Sequence, residues 1–534
     1  MPFYIVLFLF SALSLNGAVT LNNINTKPPC RAKDFMIWQY LQQDITPLEA
    51  KKAYSQVSSK GDKFLFLYAK KTDDEKIKQI VSCKKNTNLL EIEDKNCLKL
   101  AINPYKTLKL SNEQRNELYN KLESNSTKKI LQIQNEPYTQ ESYAKYDAKT
   151  FLNFFIKMPS GFRRKNLNID FDKNFINNLA SYWKISTFIS IVVCDVKLEN
   201  VKRSLLYLKS DKLNAQSVFF LAINQLLHSN EKKAISLFEE ACEKSKKQID
   251  KDKNIFWIYL VSKDKKYLKK LLLSMDINIY TIYAHEVLNE SFENYFITLP
   301  TTDKVANLDI KNPFQWHKIL QEIKTTPKEN LFNLAQKYRQ KQMLPVQSFI
   351  VQKAYRFKVH GYIMPYDKYL QNLTTDEKAL VYAIMRQESH LIPSALSYSY
   401  ALGLMQLMPF LVDIIAKECN ENICYEDMFK PQKNIQYALK HLQWMQKSLY
   451  HPLFIAYAYN GGMGFFRRYL KSGRFENKRY EPFLSMEIMS NTQSREYGKR
   501  VLANYVMYKK ALGEDVSIVY LFYKLRDRKK NSRF

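Results

Sequence analysis

Glu388 lies on the side of a predicted helix that should face the protein core. Thr374 and Glu377 form a capping box that starts this helix. Apolar residues then recur at helical spacing, and Glu388 continues their stripe; they are Leu380, Val381, Ile384 and Met385. Since Pro393 disfavours helical geometry in the residue before it, the helix is expected to end near Ile392. Glu388 is therefore predicted to point inward from the last helical turn.

A carboxyl group in that position is suited to proton donation. Burial and the negative end of the helix dipole both favour the neutral form and so raise its pKa. An acid that stays protonated near neutral pH can act as the general acid in glycoside cleavage. The alternative is a structural Glu paired with an Arg or Lys, and this helix alone does not distinguish the two.

A second segment, from Gly403 to Pro409, has the residue types of a ligand-binding turn. Gly403 permits a tight approach or unusual backbone angles, and Gln406 is the lone amide among apolar residues. A buried amide needs hydrogen-bond partners, which are either backbone groups or the acetamido and hydroxyl groups of a sugar. Met405 and Met408 either form the floor of a saccharide groove or serve only as packing residues.

A third segment predicts a helix that ends abruptly at Tyr459 and Asn460. Gly461 and Gly462 follow and suit a left-handed C-cap. A plain cap needs only Asn460 and Gly461, so Gly462 and Gly464 favour a ligand close to the backbone. A later helix, which is uninformative by itself, presents one face made of Tyr497, Val501, Tyr505 and Tyr508.

The composition predicts an all-α protein of several domains. The 534 residues are 46% hydrophobic and include only 11 Gly and 17 Pro, too few turn residues for a β-architecture. From about residue 30 to 370 the chain reads as successive amphipathic helices, most clearly between 215 and 284, with breaks at 228–230 and 263–264. Paired helices of this kind build an α-solenoid. Pro365 then marks the entry to a second domain that ends near Gly513.

The chain ends and the charge indicate where the protein works. Residues 1–18 form an apolar segment of signal-peptide length, so export is expected, and no later stretch approaches the roughly 20 apolar residues of a membrane span. The net charge of +30 is spread along the chain, which argues against a nucleic-acid-binding arm and for attraction to a polyanion such as a cell wall or membrane surface. The one dense basic patch, residues 524–534, is expected to be a disordered end.

The seven cysteines are scattered, form no zinc spacing and cannot all pair within one chain. Cys419 and Cys424 are close enough in sequence for a disulfide in an oxidising compartment, and Cys83 with Cys97 is the weaker candidate. Buried free thiols are the preferred interpretation for most of the seven.

Taken in order, these segments resemble the soluble lytic transglycosylases, exported enzymes that cut peptidoglycan and have a lysozyme-like catalytic domain. The family's Glu-Ser pair falls on Glu388 and Ser389, its Gly-Leu-Met-Gln on residues 403–406, its Ala-Tyr-Asn on residues 458–460 and its late Tyr on Tyr497. The motif spacing covers residues 365 to about 510. The helical N-terminal region is similar in kind to the family's superhelical ring.

The resemblance implies a reaction with a single catalytic carboxyl group. Glu388 would protonate the oxygen that links N-acetylmuramic acid to N-acetylglucosamine and then, as a carboxylate, take a proton from the muramoyl 6-hydroxyl. The product would be a 1,6-anhydro sugar, and no metal or organic cofactor is implied. By the same transfer the substrate-binding residues would be Ser397, Gln406, Met408, Tyr459, Asn460, Glu487 and Tyr497.

Three positions depart from the family pattern. Tyr400 stands where the family has Gly and is expected to narrow the groove, which bears on the range of substrates. Gly461 stands where Ala is usual, and Gln493 replaces an acidic residue that often precedes the late Tyr.

We therefore predict a signal peptide at 1–18, an α-superhelical scaffold at 19–364, a lysozyme-like transglycosylase domain at 365–513 and a basic tail at 514–534. The predicted enzyme is periplasmic and acts on peptidoglycan glycan strands, with other cell-wall enzymes as further partners. It binds no nucleic acid and has no stable membrane span. Two alternatives stay open: a muramidase of the same fold that uses water as acceptor, and a non-catalytic scaffold that grips glycan and recruits other wall enzymes.

Overall fold

The computed structural model describes residues 19–123 and 125–533, and the predicted signal segment at 1–18 lies outside them. Within the described residues the secondary structure is almost entirely helical, so the prediction of an all-α protein is confirmed. Two strands of two residues each, β1 (Tyr295–Phe296) and β2 (His360–Gly361), pair in parallel where the scaffold meets the second domain. None of the helices described has the length and apolarity to cross a bilayer.

The helices fall into a long scaffold series and a shorter second series. The scaffold helices are α1 (Leu21–Asn25), α2 (Arg31–Tyr40), α3 (Pro47–Ser55), α4 (Asp62–Tyr68), α5 (Glu75–Lys85), α6 (Lys95–Ala101), α7 (Pro104–Thr107), α8 (Asn112–Lys121), α9 (Asn125–Asn135), α10 (Gln140–Ala144), α11 (Ala148–Lys157), α12 (Ser160–Asn166), α13 (Lys173–Asn178), α14 (Ile185–Cys194), α15 (Glu199–Leu205), α16 (Ala215–Leu227), α17 (Glu231–Lys244), α18 (Gln248–Ser262), α19 (Lys266–Leu272), α20 (Ile279–Leu288), α21 (Pro313–Thr325), α22 (Leu331–Lys337) and α23 (Leu344–Ala354). The second series is α24 (Thr375–Ser389), α25 (Pro409–Glu418), α26 (Pro431–Gln446), α27 (Pro452–Gly461), α28 (Met463–Lys471), α29 (Phe483–Glu487), α30 (Thr492–Ala511), α31 (Ile518–Leu525) and α32 (Arg528–Asn531). Short 3₁₀ helices lie at Leu89–Glu91, Leu179–Ser181, Lys328–Asn330, Lys341–Met343, Asp367–Tyr369 and Tyr425–Phe429.

The scaffold helices stack through the faces that the sequence predicted. α16, α17 and α18 pack in sequence order; the predicted breaks at 228–230 and 263–264 follow α16 and α18, and the break at 245–247 between α17 and α18 was not predicted. Phe238 and Trp257 are fully buried and stack with their ring centroids 5.7 Å apart. Since buried apolar surface stabilises by roughly 25 cal/mol per Å², rings of this size hold consecutive helices together.

The second domain packs around α30, which lies against α24 and α27. Gly498 of α30 allows α27 to approach closely, because a Cβ atom at this position would lie 2.3 Å from the Tyr457 ring. On the other side, Tyr508 of α30 stacks on Tyr382 of α24 with a centroid distance of 5.2 Å. This packing gives α24, α27 and α30 fixed positions relative to one another.

The scaffold and the second domain share one continuous apolar core. Phe256 of α18 meets Phe483 of α29 with ring centroids 4.8 Å apart. Next to them lies a buried polar cluster, in which Lys499 pairs with Glu487 at 2.9 Å and Tyr280 donates a hydrogen bond to Glu487. The interface is therefore both apolar and specific in its polar contacts.

The prediction that residues 524–534 form a disordered end is wrong for the described residues, which extend to 533. The Phe522 ring of α31 packs on Phe483 with a centroid distance of 4.7 Å. Beyond α31, the backbone carbonyl of Asn531 accepts a hydrogen bond of 3.0 Å from the Tyr450 amide. The apolar face of α31 lies just before the basic residues and anchors them; it consists of Ile518, Leu521, Phe522 and Leu525.

The disulfide ranking from sequence is also wrong. Cys83 and Cys97, at the ends of α5 and α6, form the disulfide, with a Cα–Cα distance of 5.0 Å. Cys419 and Cys424 form no disulfide with each other. The turn between them is fixed in another way, because Glu421 pairs with Lys433 at 2.5 Å. Short sequence separation is thus insufficient without the Cα and Cβ geometry that a disulfide needs.

Candidate active site

α24 places Glu388 in its last turn, as predicted, and the predicted capping box starts the helix. The helix ends at Ser389, earlier than the expected Ile392. The reason is that His390 and Leu391 both adopt left-handed backbone conformations, with φ of 51° and 66°. These two residues turn the chain away from the helix axis, directly after Glu388.

Glu388 is half-buried and has no ion-pair partner among the described residues. The neighbouring cation, Arg386, is engaged elsewhere: its Nε donates to the Gly361 carbonyl at 2.9 Å and its Nη1 donates to Asn504 Oδ1 at 2.7 Å. The alternative of a structural Glu held by a permanent cation is therefore excluded for this part of the chain.

Burial raises the pKa of Glu388 to about 7, and the nearby Tyr497 hydroxyl opposes this with a smaller lowering effect. Tyr497 is buried, and its hydroxyl makes no hydrogen bond of ordinary length within the described structure. Burial, together with the charge of Glu388, raises the pKa of both Tyr497 and Tyr459 well above the ordinary value. At neutral pH the carboxyl group is therefore close to half-protonated, whereas both tyrosines stay neutral.

The loop between α24 and α25 is folded back by backbone hydrogen bonds. Leu402 and Leu407 exchange two of them, of 2.9 and 3.1 Å. Gly403 lies in the turn with a φ of 73°, and a Cβ atom there would lie 2.1 Å from the Met428 carbonyl. The prediction that this position needs glycine is confirmed by both the backbone conformation and the close contact.

Asn434 of α26 holds this turn from below and was not identified from the sequence. It is fully buried; its Oδ1 accepts from the Met405 amide at 2.9 Å, and its Nδ2 donates to the Leu402 carbonyl at 3.0 Å. The signal that could have found it is a lone amide on the apolar face of a helix, since a buried amide must be hydrogen-bonded.

The two polar residues predicted in the loop keep part of their hydrogen-bonding capacity. Gln406 donates from its Nε2 to the Ala395 carbonyl at 3.0 Å and to the Gly403 carbonyl at 2.8 Å. No described group donates to its Oε1. Ser397 Oγ accepts from the Ala401 amide at 2.8 Å, which leaves the hydroxyl hydrogen available to an acceptor. The predicted backbone partners of the Gln406 amide are thus present, and one acceptor and one donor remain for a ligand.

Tyr459 and Asn460 lie at the end of α27. The Tyr459 hydroxyl donates to the Met405 carbonyl at 2.6 Å and so ties this helix to the loop. Asn460 Oδ1 accepts from Ser494 Oγ at 3.0 Å, and its amide hydrogens have no described acceptor. Met408 is half-buried and precedes α25. The structure therefore joins the three sequence segments at the C-terminal end of α24.

Packing accounts for Gly461, and backbone geometry accounts for Gly462. A Cβ atom at Gly461 would lie 2.6 Å from Ser494 Oγ, and Gly462 ends α27 with a φ of 83°. Neither Gly461 nor Gly462 requires a ligand beside the backbone, whereas neither packing nor backbone geometry explains Gly464. Gln493, the other departure, is exposed in the first turn of α30 and leaves the position of Tyr497 unaffected.

Tyr400 faces the scaffold and not the groove. Only 4% of it is exposed, and its ring lies 5.1 Å from the Phe35 ring and 5.6 Å from the Trp38 ring. The Lys63 amino group lies 3.4 Å from the centroid of the Tyr400 ring. The expectation that Tyr400 narrows the groove is therefore wrong, because scaffold residues surround the side chain.

Glu487 is also placed away from the predicted site. It is 2% exposed, and both of its carboxylate oxygens bond to Lys499 while one also accepts from Tyr280. This arrangement leaves neither oxygen for a sugar, so we assign Glu487 to the interface with the scaffold. In the described ranges, no group of three or more His, Cys, Asp or Glu side chains is arranged to hold a metal ion.

A row of aromatic rings that the sequence did not reveal starts at Tyr459. The His441 ring lies 5.7 Å from the Tyr459 ring, and Trp444 stacks on His441 at 5.6 Å with an interplanar angle of 13°. Burial lowers the pKa of His441, so the ring is neutral at physiological pH. Trp444 is 50% exposed, which leaves the outer end of the row open to solvent.

Part of the second domain is similar in sequence to known proteins. Residues 367–481 match the family described as Transglycosylase SLT domain. A Haemophilus influenzae protein named as a soluble lytic murein transglycosylase is 30% identical over 234 residues, a match that covers 39% of this chain and 39% of that protein. The match therefore covers less than half the length of the Haemophilus influenzae protein.

Two solved structures are similar over most of the chain. One is an inactive variant of the lytic transglycosylase Slt from Pseudomonas aeruginosa, with 14% identity and a TM-score of 0.48, covering 93% of this chain and 89% of that one. The other is the 70-kDa soluble lytic transglycosylase from Escherichia coli, with 15% identity and a TM-score of 0.41, covering 96% and 91%. The family match confirms the resemblance inferred from the motifs over residues 367–481, which are similar to a transglycosylase SLT domain.

Proposed function

We propose that the protein is a peptidoglycan lytic transglycosylase in which Glu388 is the catalytic acid and base. The observation that carries this proposal is a half-buried carboxyl group with a pKa of about 7 and no ion-pair partner in the described structure. Such a group can release and regain a proton within one turnover at neutral pH. The domain match and the name of the Haemophilus influenzae relative support peptidoglycan as the substrate.

In the proposed first step, Glu388 gives its proton to the oxygen that joins C1 of N-acetylmuramic acid to N-acetylglucosamine. The C1–O bond breaks, and the N-acetylglucosamine end leaves with a free hydroxyl group. In the second step the Glu388 carboxylate takes the proton of the muramoyl C6 hydroxyl, whose oxygen bonds to C1. The acid is regenerated, no water is consumed, and the product is a 1,6-anhydro sugar.

The surroundings of Glu388 favour ring closure over hydrolysis. Glycosidases that activate water generally need a second carboxylate. Within the described residues, the pKa of Glu388 is set by burial and by Tyr497, without a contribution from another carboxylate. A single group that alternates between acid and base suits a reaction whose nucleophile belongs to the substrate.

The groups with free hydrogen-bonding capacity give the proposed sugar contacts. The Ser397 hydroxyl is a donor, Gln406 Oε1 is an acceptor and the Asn460 amide is a donor. Met408 supplies an apolar contact, and Tyr459 and Tyr497 flank the acid. We assign Trp444 to a more distant subsite, since the face of a pyranose ring packs well on an exposed aromatic ring.

Export to the periplasm forms part of the proposal, with other cell-wall enzymes as the class of protein partner. Its support is the apolar segment at residues 1–18 and the Cys83–Cys97 disulfide, which is typical of an oxidising compartment. Mass spectrometry of the protein recovered from a periplasmic fraction checks both the export and the disulfide. Protein confined to the cytoplasm, or one with two free thiols at these positions, would contradict this part.

Digestion of purified sacculi tests the reaction. We expect wild-type protein to release muropeptides that are lighter by one water than hydrolysis products. Glu388→Gln should lower the rate by about 1000-fold, the size of a general-acid contribution, while sacculus binding persists. Glu418→Gln is the matched control, because Glu418 is an exposed carboxylate at the end of the neighbouring helix α25.

The other outcomes separate the alternatives. Products with a reducing end would identify a muramidase, and binding without any product would identify a non-catalytic scaffold. Undiminished digestion by Glu388→Gln would refute the assignment of the acid.

A further inference from the structure

The loop that carries Ser397 is held on both sides of this residue by scaffold helices far away in sequence. We call residues 394–402 the Ser397 loop. Within it, the Ser397 amide donates to the Ala401 carbonyl at 3.1 Å and the Ala401 amide donates to Ser397 Oγ at 2.8 Å. Tyr400 adopts a left-handed conformation with a φ of 69°, which costs about 1 kcal/mol or more for a residue with a Cβ atom. Contacts outside the loop must offset that cost.

Arg31, the first residue of α2, contacts the two neighbours of Ser397. Its Nη1 donates to the Leu396 carbonyl at 2.7 Å, and its guanidinium lies 3.6 Å from the centroid of the Tyr398 ring. A guanidinium can make both contacts at once because it is planar and carries several donors. The main chain before Ser397 and the side chain after it are therefore fixed by the same residue.

Lys63 and α2 hold the other end of the loop. The Lys63 amino group covers one face of the Tyr400 ring, and the rings of Phe35 and Trp38 pack against it from α2. Tyr400 precedes Ala401, whose amide positions Ser397 Oγ. Contacts that fix Tyr400 therefore also fix the adjacent Ala401 amide, and through it the orientation of the Ser397 hydroxyl.

Backbone hydrogen bonds link the Ser397 loop to the turn that contains Gln406. Leu396 bridges to Leu402, and Leu402 bridges to Leu407, so that the loop and the following turn form a single hydrogen-bonded unit. Gln406 closes this unit with its bond to the Ala395 carbonyl. A displacement of Leu396 would therefore shift both Ser397 and Gln406, the two predicted sugar contacts.

We propose that Arg31 and Lys63 are positioning residues of the active site, which hold Ser397 and Gln406 in the orientation that binds the glycan. The first helices of the scaffold thereby complete the substrate site of the second domain. This inference rests on the proposed function for the identity of the ligand, and it concerns binding and not the proton-transfer step.

Binding is measured in a Glu388→Gln background, so that the ligand is not consumed. The probe is a defined, uncrosslinked oligosaccharide of alternating N-acetylglucosamine and N-acetylmuramic acid, titrated by calorimetry. Because a hydrogen bond from a charged group and a cation–π contact are both lost, Arg31→Met is expected to raise Kd about 10-fold, with a smaller rise for Lys63→Met. Arg31→Lys should recover part of the affinity, since it keeps the charge.

Lys109→Met is the matched control. Lys109 makes a similar contact, 5.5 Å from the centroid of the Tyr105 ring, at a scaffold position on neither α2 nor α4. It should bind like the parent protein, and the melting temperatures of all variants should agree. In the active chain, Arg31→Met should raise KM with little change in kcat. An unchanged Kd, or equal losses for Arg31→Met and Lys109→Met, would overturn the proposal.

Hydrogen exchange of the Ser397 loop gives a readout that requires no ligand. The Ala401 amide should exchange faster in Arg31→Met than in Lys109→Met, because its acceptor, Ser397 Oγ, is no longer held in place. Equal exchange rates would refute the positioning role even if the protein proved to have another substrate. Conversely, faster exchange without any cleavage by the wild-type chain would retain the inference and reject the proposed reaction.

Discussion

Glu388→Gln should make the folded protein more stable at alkaline pH while it removes the activity. Burial raises the pKa of Glu388 in the folded protein to about 7 from an ordinary value of 4.5. A raised pKa means that the folded state binds the proton more tightly than the unfolded state does. The resulting stability is complete below pH 4.5 and is lost as the pH rises through 7. Glutamine has nearly the same shape as glutamate and does not ionise, so the variant does not lose stability as the pH rises.

The magnitude follows from the size of the shift. One pKa unit corresponds to about 1.4 kcal/mol, so ionisation of Glu388 costs the folded protein about 3 kcal/mol at pH 8, and rather less because the side chain is only half-buried. The entropy of unfolding is about 2 cal/mol/K per residue, or roughly 1 kcal/mol/K if the whole chain unfolds together. The variant should then melt about 2–3 °C above wild type at pH 8.

Differential scanning calorimetry from pH 5 to 8.5 measures this difference. We expect the difference between the two melting temperatures to be smallest at pH 5, to grow between pH 5 and 7, and to stay constant above about pH 7.5. Glu418→Gln serves as the control, because it removes a carboxylate that is exposed at the surface. A constant difference between Glu388→Gln and wild type at every pH would refute the claim that burial disfavours the ionised carboxyl group.

Four further outcomes are expected. The value of kcat/KM should fall as the pH rises above about 7, because Glu388 must be protonated to start the reaction; a flat profile up to pH 9 would contradict this. Tyr497→Phe removes the hydroxyl that lowers the pKa of Glu388, so the alkaline limb of the same profile should move to higher pH, and a shift to lower pH would show that the hydroxyl acts differently. Gly403→Ala should destabilise the protein by about 2 kcal/mol or more, measured by calorimetry, because its Cβ would meet the Met428 carbonyl in a left-handed conformation. Trp444→Ala should raise KM for long glycan about 10-fold and Trp444→Phe should restore most of it; equal KM values in the two variants would exclude a stacking role.

Local patterns predicted the position of Glu388 correctly. The capping box, the apolar stripe and Pro393 together were enough to place Glu388 at the end of α24. The need for glycine at residue 403 also followed from sequence, since few other residues suit a turn of this kind. These features depend on residues within about one helix of each other, where backbone geometry limits the possible arrangements.

The errors concern residues whose partners lie far along the chain. Arg31 and Leu396 are separated by 365 residues, and nothing local to the loop indicates that a scaffold cation contacts it. Tyr400 and Glu487 were assigned to the groove for the same reason, because their partners Lys63 and Tyr280 lie in the scaffold. Cys419 and Cys424, which form no disulfide with each other, show that sequence proximity does not supply disulfide geometry.

The buried cluster of Tyr280, Glu487 and Lys499 has a consequence for how this protein can change over evolutionary time. Loss of Lys499 would leave the buried Glu487 carboxylate without an ion pair, at a cost of about 3–5 kcal/mol, whereas loss of Glu487 would leave Lys499 paired with Glu496 at 3.2 Å. Replacement of all three by apolar side chains of similar volume would cost little or nothing. Loss of Lys499 alone is therefore disfavoured, and descendants of this sequence that lack Lys499 should lack Glu487 as well.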